Sequence, residues 1–173
     1  SLMYVSPTDY CETKGTIQNL VRQQEAFSSV APLKFKVDEN MIMSRRSALQ
    51  FGNDLLNADV YEYFMQIINN APEILSCNII NLQEDVVKNR VSSLLVDQNF
   101  VKSAAFVCVM TAKSFGSNEL MSTGTLAHQL HMHAQKMNVG FSGVGAFYDK
   151  KLQNYLQIKE YILYVCVVGT NKK

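Results

Sequence analysis

Two adjacent arginines flanked by hydroxyls, Ser44-Arg45-Arg46-Ser47, are the first residues of this chain equipped for chemistry. Their guanidinium groups are planar, permanently charged donors, and the serines add hydroxyls, a set suited to a phosphate or a carbonyl-rich ring. The same tetrapeptide also reads as a solvated surface patch, and the residues alone leave both readings open. A second feature is the run Gly140-Phe141-Ser142-Gly143-Val144-Gly145. Glycines in a turn let backbone amides approach an anion or a flat ring without Cβ obstruction. A glycine-rich turn is therefore expected over 140–145, with an ordinary helix cap and loop as the plainer alternative. These glycines follow a helix instead of joining a strand to one, so they form no dinucleotide fingerprint. Third come His128, His131 and His133. The first two share a helix face and His133 is rotated away. No Asp, Glu or Cys accompanies them to complete a metal shell, so no metal site is expected. They read as polar residues on the exposed side of an amphipathic helix.

The elements that must hold these residues follow from periodicity and punctuation. Residues 1–15 read as an arm, Thr16 to Phe27 as a helix capped by Thr16, and Val30 to Val37 as a short extended segment. A helix is expected over Asp59 to Asn69 behind an Asp cap, ended by Pro72. Strands are expected over Ile74 to Leu82, Phe106 to Met110 and Tyr161 to Val168. Helical spacing recurs in Asp85 to Leu95, in Thr125 to Met137 (Leu126, Leu130, Ala134 and Met137 on one face) and in Asp149 to Leu156. Helices alternating with a few buried strands give an α/β or α+β (α/β sandwich) class with a central sheet. The expected division is an N-terminal arm and helix over 1–40 and the main unit over 41–173, one domain overall.

Composition narrows the function classes. With 173 residues, 47% hydrophobic and 18% charged, the chain can build one sizeable core. A formal net charge of +1 gives no footprint for nucleic acid or an anionic membrane surface. The longest apolar strand-like run, Tyr161 to Val168, is far short of a membrane span. No basic flank leads into an apolar stretch near Ser1-Leu2-Met3-Tyr4, so no secretory leader is expected there. Cys11, Cys77, Cys108 and Cys166 form no CxxC pair, and reduced thiols in apolar segments fit a cytoplasmic protein.

The C-terminal third carries a resemblance. TGTLAHQLHMHAQKMNVGFSGVGAFYDKKLQNYLQI followed by ILYVCVVG is similar to a segment of nitroreductase-like flavoproteins. There, a helix opened by glycine leads into a small-residue turn, a short helix and a strand ending in glycine. The matching residues are Gly124, Gln129, Leu130, Ala134, Gly140, the Gly143–Gly145 turn, Leu152, Leu156 and Gly169. GAFYD followed by a leucine-bearing helix most resembles the branch that oxidises azoline rings in ribosomal-peptide biosynthesis. SRRSALQF resembles the family's RRS-x-R-x-F element, NAPEILSCN its Pro-Ser-x-x-Asn-like turn, and DQNFVKSAAFVCVMTA its lead into a central strand. These stretches cover most of 41–169 in the family's order.

The resemblance implies a nitroreductase-like fold with a central mixed sheet, FMN as cofactor, and a homodimer whose flavin sites need both chains. It implicates Arg45, Arg46 and Ser47 at the FMN phosphate and ribityl chain, with Ser76 and Asn78 reaching a partner's flavin. Gly143 and Gly145 would lie against the ring, and Lys172 or Lys173 would close on the phosphate. Lys113, in Lys113-Ser114-Phe115, matches the lysine of a Lys-Tyr pair in azoline dehydrogenases and is the acid/base candidate; the tyrosine is absent. Gln50 is read in place of the RRS element's later arginine, and Pro72-Glu73 in place of Pro-Ser. The implied activity is FMN-dependent oxidoreduction, either azoline dehydrogenation or NAD(P)H-dependent reduction of nitro or quinone compounds. The alternative is a scaffold or binding subunit of the same fold without flavin chemistry.

Overall fold

The computed structural model describes residues 35–52 and 54–172. The expected helix over 16–27 and most of the segment over 30–37 lie outside them. The centre of the fold is set by FVCVMTA, whose β-branched and apolar side chains leave no polar face. It forms strand β2, Phe106–Ala112, buried along its whole length. Around it lie β1 (Ser76–Asn81), β3 (Val139–Val144) and β4 (Tyr161–Thr170), in the spatial order β1-β2-β4-β3. All three pairings are antiparallel, where a mixed sheet was expected; the α+β class holds.

Alternation along the strands divides the core into two. Val107, Val109, Val165 and Val167 face one side, while Phe106, Cys108, Met110, Cys166 and Val168 face the other. The first face is covered by α3 (Asp85–Leu94), a 3₁₀ turn (Asn99–Ser103) and α5 (Asp149–Leu156). The second is covered by α2 (Ala58–Asn69) and α4 (Ser117–Lys136). A bulge resets the alternation, because Met110 pairs with Tyr164 but Thr111 with Ile162. The extra residue, Leu163, puts Ile162 on the same face as Val165. Cys108 stands opposite Cys166, and Cys77 lies on β1 two residues from Ile79, the partner of Cys108.

Several boundaries differ from expectation for local reasons. The cap of α2 is Asn57, whose side chain accepts from the Asp59 amide; Asp59 sits inside the first turn, where its charge suits the helix dipole. Helix α4 begins at Ser117, eight residues before the periodic stretch at Thr125. Glu119 holds that start: its carboxylate takes the Ser114 hydroxyl and the Gly116 amide, as in a capping box, and these bonds keep it below the usual carboxylate range.

The largest correction concerns 140–145. The turn after α4 is Met137-Asn138, with Asn138 at φ 54°, and Gly140 and Gly143 beyond it lie in strand β3. No glycine among the described residues has positive φ. Gly140 and Gly143 are small because neighbours occupy the Cβ positions. A Cβ on Gly140 would come within 2.9 Å of the Phe51 ring, and one on Gly143 would meet the Tyr164 hydroxyl.

Candidate functional site

The RRS element sits on a short helix and the loop behind it. Helix α1 (Glu39–Ser44) is capped by Asp38, whose side chain accepts from the Met41 amide at 2.8 Å. The chain then crosses the ends of β3 and β4, tied by Ala48 N to the Phe141 carbonyl and Gly52 N to the Thr170 carbonyl, both 2.8 Å. Phe51 anchors the crossing. It bridges to Asn171, is 3% exposed, and lays its ring over Gly140 and Gly169, which are cross-strand partners.

That anchorage turns Arg45 inward. Its Nη1 donates to His131 Nδ1 at 3.0 Å, and the Arg46 carbonyl lies 3.2 Å from His131 Nε2. Arginine has no acceptor, so Nδ1 carries the lone pair and Nε2 the proton that the carbonyl receives. The imidazole stacks on Phe141 with centroids 4.5 Å apart. Burial pushes its pKa below the ordinary 6.5; the Arg46 carbonyl opposes the shift, and the charges of Arg45 and His128 add to it. His131 and His133 are buried and only His128 is exposed, which corrects the reading of all three as exposed. Leu126, Ala127, Leu130, His131 and Ala134 are all buried, so His131 falls on the helix's apolar stripe, a spacing signal that could have found it.

Arg46 is exposed, with Nη1 donating to the carbonyls of Met43 (2.8 Å) and Arg45 (2.9 Å). A pocket of about 180 Å³ opens here, lined by Ser44, Arg46, Ser47, His131, Gln135 and Asn171 among others. Gln135 donates to the Ser44 hydroxyl at 3.2 Å. No acidic residue among the described residues lines this pocket. The one ion pair among the described residues is Lys88–Asp85, so no carboxylate among them neutralises Arg45. Arg46 with the hydroxyls and amides of the lining, and Arg45 next to the pocket against His131, make a donor set that fits a phosphate. The larger cleft, about 730 Å³, is lined by Asp54 and Glu62 as well as Lys88 and Lys102, and its carboxylates oppose an anion.

Lys172 joins the cluster, donating to Gln50 Oε1 at 2.7 Å; Lys173 lies outside the described residues. Counted from Arg45, the fifth position of RRS-x-R-x-F is Leu49, not Gln50, and Leu49 is 80% exposed. Gln50 thus replaces no arginine and instead tethers the C-terminal lysine.

The other candidates lie elsewhere. Ser76 pairs with Thr111, and Asn78 donates to the Thr111 hydroxyl at 3.3 Å, which in turn donates to Glu160 at 2.9 Å. Lys113 is exposed just beyond β2, in an open hollow with Gln157, Lys159 and Glu160. This end of β4, at Tyr161, is nine strand steps of about 3.3 Å, roughly 30 Å, from the Thr170 end that carries the arginines. One chain therefore assembles Arg45, Arg46, Ser47 and Lys172, and separately Lys113, Ser76 and Asn78. Gly143 serves Tyr164, whereas Gly145, past β3, has nothing within 4 Å of its Cβ position.

A four-stranded antiparallel sheet covered by helices on both faces, with an acid-free pocket at one end, is an architecture that other proteins share. The sequence model of the nitroreductase family matches residues 71–170, and the chain belongs to that family. The match begins after the Arg45–Phe51 crossing. A candidate nitroreductase of Methanocaldococcus jannaschii is 26% identical over 102 residues, 53% of this chain and 52% of that protein, so the match spans about half of the relative. A nitroreductase family protein of Clostridium novyi NT shares the fold with TM-score 0.67 at 15% identity, over 80% of this chain and 87% of its own. A candidate nitroreductase of Desulfovibrio desulfuricans, solved in complex with FMN, does so with TM-score 0.68 at 10% identity, over 80% and 89%. No described helix is long and apolar enough to cross a membrane.

Proposed function

We propose that this chain is a subunit of a homodimeric, cytoplasmic FMN-dependent oxidoreductase. The observation that carries the reading is the acid-free pocket beside the unneutralised Arg45 in a chain of the nitroreductase family. Bound FMN supplies a ring that accepts and releases a hydride. The chain's own residues hold and orient. Arg46, Ser47 and Ser44 would hold the phosphate, Lys172 stands over the same loop through Gln50, and Gly145, with nothing within 4 Å of its Cβ position, would lie against the ring. The pocket takes a phosphate-sized group, so the rings lie outside it.

Two observations support a two-chain site. Lys113 lies at the end of the sheet roughly 30 Å along β4 from the arginines, and Ser76 and Asn78 lie on β1, across β2 and β4 from the β3 side, a separation that a second copy bridges. Ile42 and Met43 on α1 and Leu120 and Met121 on α4 are exposed apolar residues, suited to burial against that copy. Reduced Cys77, Cys108 and Cys166 accord with a cytoplasmic setting. The substrate is either an azoline-bearing peptide, with Lys113 as the acid/base group, or a nitro or quinone compound reduced with NAD(P)H. The exposed Leu49 at an arginine position favours a second reading, a subunit of this fold that binds or scaffolds without flavin chemistry.

The test is the visible spectrum of the purified protein, followed by anaerobic titration with NADH and NADPH. Flavin absorbance that bleaches with a nicotinamide donor supports the reductase. A colourless protein that fails to bind added FMN overturns the flavin reading and leaves the scaffold.

A further inference from the structure

The geometry points to His131 as the positioning residue of the anion pocket: a neutral imidazole that sets both arginines through its two ring nitrogens. This rests on the proposal that the phosphate of FMN enters there. Arg45 and Arg46 are neighbours on a loop, and a loop arginine sweeps a wide volume unless something fixes it. His131 fixes two different parts of the pair. Its Nδ1 lone pair receives Arg45 Nη1 at 3.0 Å, which aims the guanidinium. Its Nε2–H holds the Arg46 carbonyl at 3.2 Å, which fixes the peptide joining Arg46 to Ser47.

The ring is itself fixed. It stacks on Phe141, with the planes 25° apart, and projects from α4, a rigid 20-residue helix. The whole arrangement needs the Nε2–H tautomer. A protonated ring would turn an N–H at Arg45 and set two positive charges together. The charged and titratable groups around His131 favour the neutral form or leave it undisturbed. Arg45 and Arg46 approach from the loop and His128 from its own helix, while Tyr164 on β4 has its hydroxyl pushed up by burial. No carboxylate pairs with His131 or Arg45 among the described residues. A carboxylate at this place would also orient Arg45, but it would cancel the charge that the phosphate needs. Imidazole orients without neutralising.

The test separates phosphate recognition from general packing by comparing FMN with riboflavin, which has the same ring and no phosphate. In wild type, FMN should bind more tightly than riboflavin, measured by quenching of flavin fluorescence. His131→Leu keeps the apolar stripe and removes both nitrogens; it should lower FMN affinity roughly tenfold and leave riboflavin unchanged. His131→Asn retains an acceptor near the Nδ1 position and should recover part of the preference. If Leu does not fold, the Asn variant alone must still show an intermediate FMN-to-riboflavin ratio. Long-range ¹H–¹⁵N spectra of the wild type should show a neutral His131 protonated on Nε2. An unchanged FMN-to-riboflavin ratio in the variants, equal loss of both ligands, or an Nδ1–H tautomer overturns the assignment to His131. A wild type without preference for FMN overturns instead the placement of phosphate at the arginines.

Discussion

Phe51 is the hinge pin of the site, and its packing makes a quantitative prediction. The ring lies over the cross-strand pair Gly140 and Gly169 and joins the valine-lined core. Phe51→Ala should cost about 3–5 kcal/mol, as buried Phe truncations do. Gly140→Ala alone places a methyl 2.9 Å from two ring carbons and 3.1 Å from Ala48 Cβ, and Ala48 is tied by its amide to Phe141. Overpacking of that kind costs about 1–3 kcal/mol, offset by about 0.5–1 kcal/mol because alanine has less chain entropy to lose than glycine. The net expectation is a loss of about 1–2 kcal/mol. In the Phe51→Ala background the ring contacts are gone, and the vacated space lets the methyl ease away from Ala48 Cβ, so Gly140→Ala should there be neutral or stabilising by up to about 1 kcal/mol. The coupling is therefore about 1–3 kcal/mol, within the range for residues in contact. Urea unfolding of the four proteins measures it, with slopes checked for a common two-state transition. Costs that add to within about 0.5 kcal/mol would refute the claim that Gly140 is small for the sake of Phe51.

Replacing Arg45 and Arg46 together by Ala should lower FMN affinity roughly a hundredfold or more, from two charge-assisted contacts of about 1.5–3 kcal/mol each, without loss of the thermal transition; unchanged flavin occupancy would make them surface charge. Lys113→Ala should leave FMN bound and any NAD(P)H oxidation nearly intact, because Lys113 is remote from the arginines in the chain, while azoline oxidation should fall roughly a hundredfold; full azoline activity in the variant excludes it as the base. Sedimentation at micromolar concentration should show a dimer, and a clean 19.5 kDa monomer counts against the two-chain site. His131 has a folded pKa below its ordinary 6.5, so the unfolded chain takes up its proton first as pH falls. The associated stability is full above about pH 6.5 and declines below it until the folded ring also titrates; His131→Leu should flatten that part of the Tm profile.

The sequence was legible where a single local rule governs. Helix α5 runs from Asp149 to Leu156 as expected, and β2 was visible as an unbroken apolar run. Strand β3 was not, because Gly140, Gly143 and Gly145 resemble a turn in every local respect. The place of Gly140 and Gly143 in a strand is decided by β4 alongside and by Phe51 and Tyr164 filling the space, and Gly145 follows just past its end. The arginine loop was readable as a motif, but its anchorage was not: Lys172 meets Gln50, and Asn171 bridges Phe51, across most of the chain. His131 was misplaced because its polarity was weighed above its spacing.

The row of thiols across β1, β2 and β4 gives the molecule a built-in clock for its own opening. Cys108 and Cys166 have no exposed surface; Cys108 pushes up the pKa of Cys77, and Cys166 pushes up that of Cys108 against a smaller opposing pull from Cys77, with burial adding to the rise in both. An alkylating reagent needs a thiolate in contact with solvent. It can reach the inner pair only when the sheet parts. Cys77, half-buried on the edge strand, needs only that strand to fray. In a Cys11→Ser background, labelling would therefore resolve two events by mass, a frequent local one adding one label and a rare global one adding the remaining two. The interval between them reads how much of the stability lies in the β2–β4 seam, in the native protein and without denaturant.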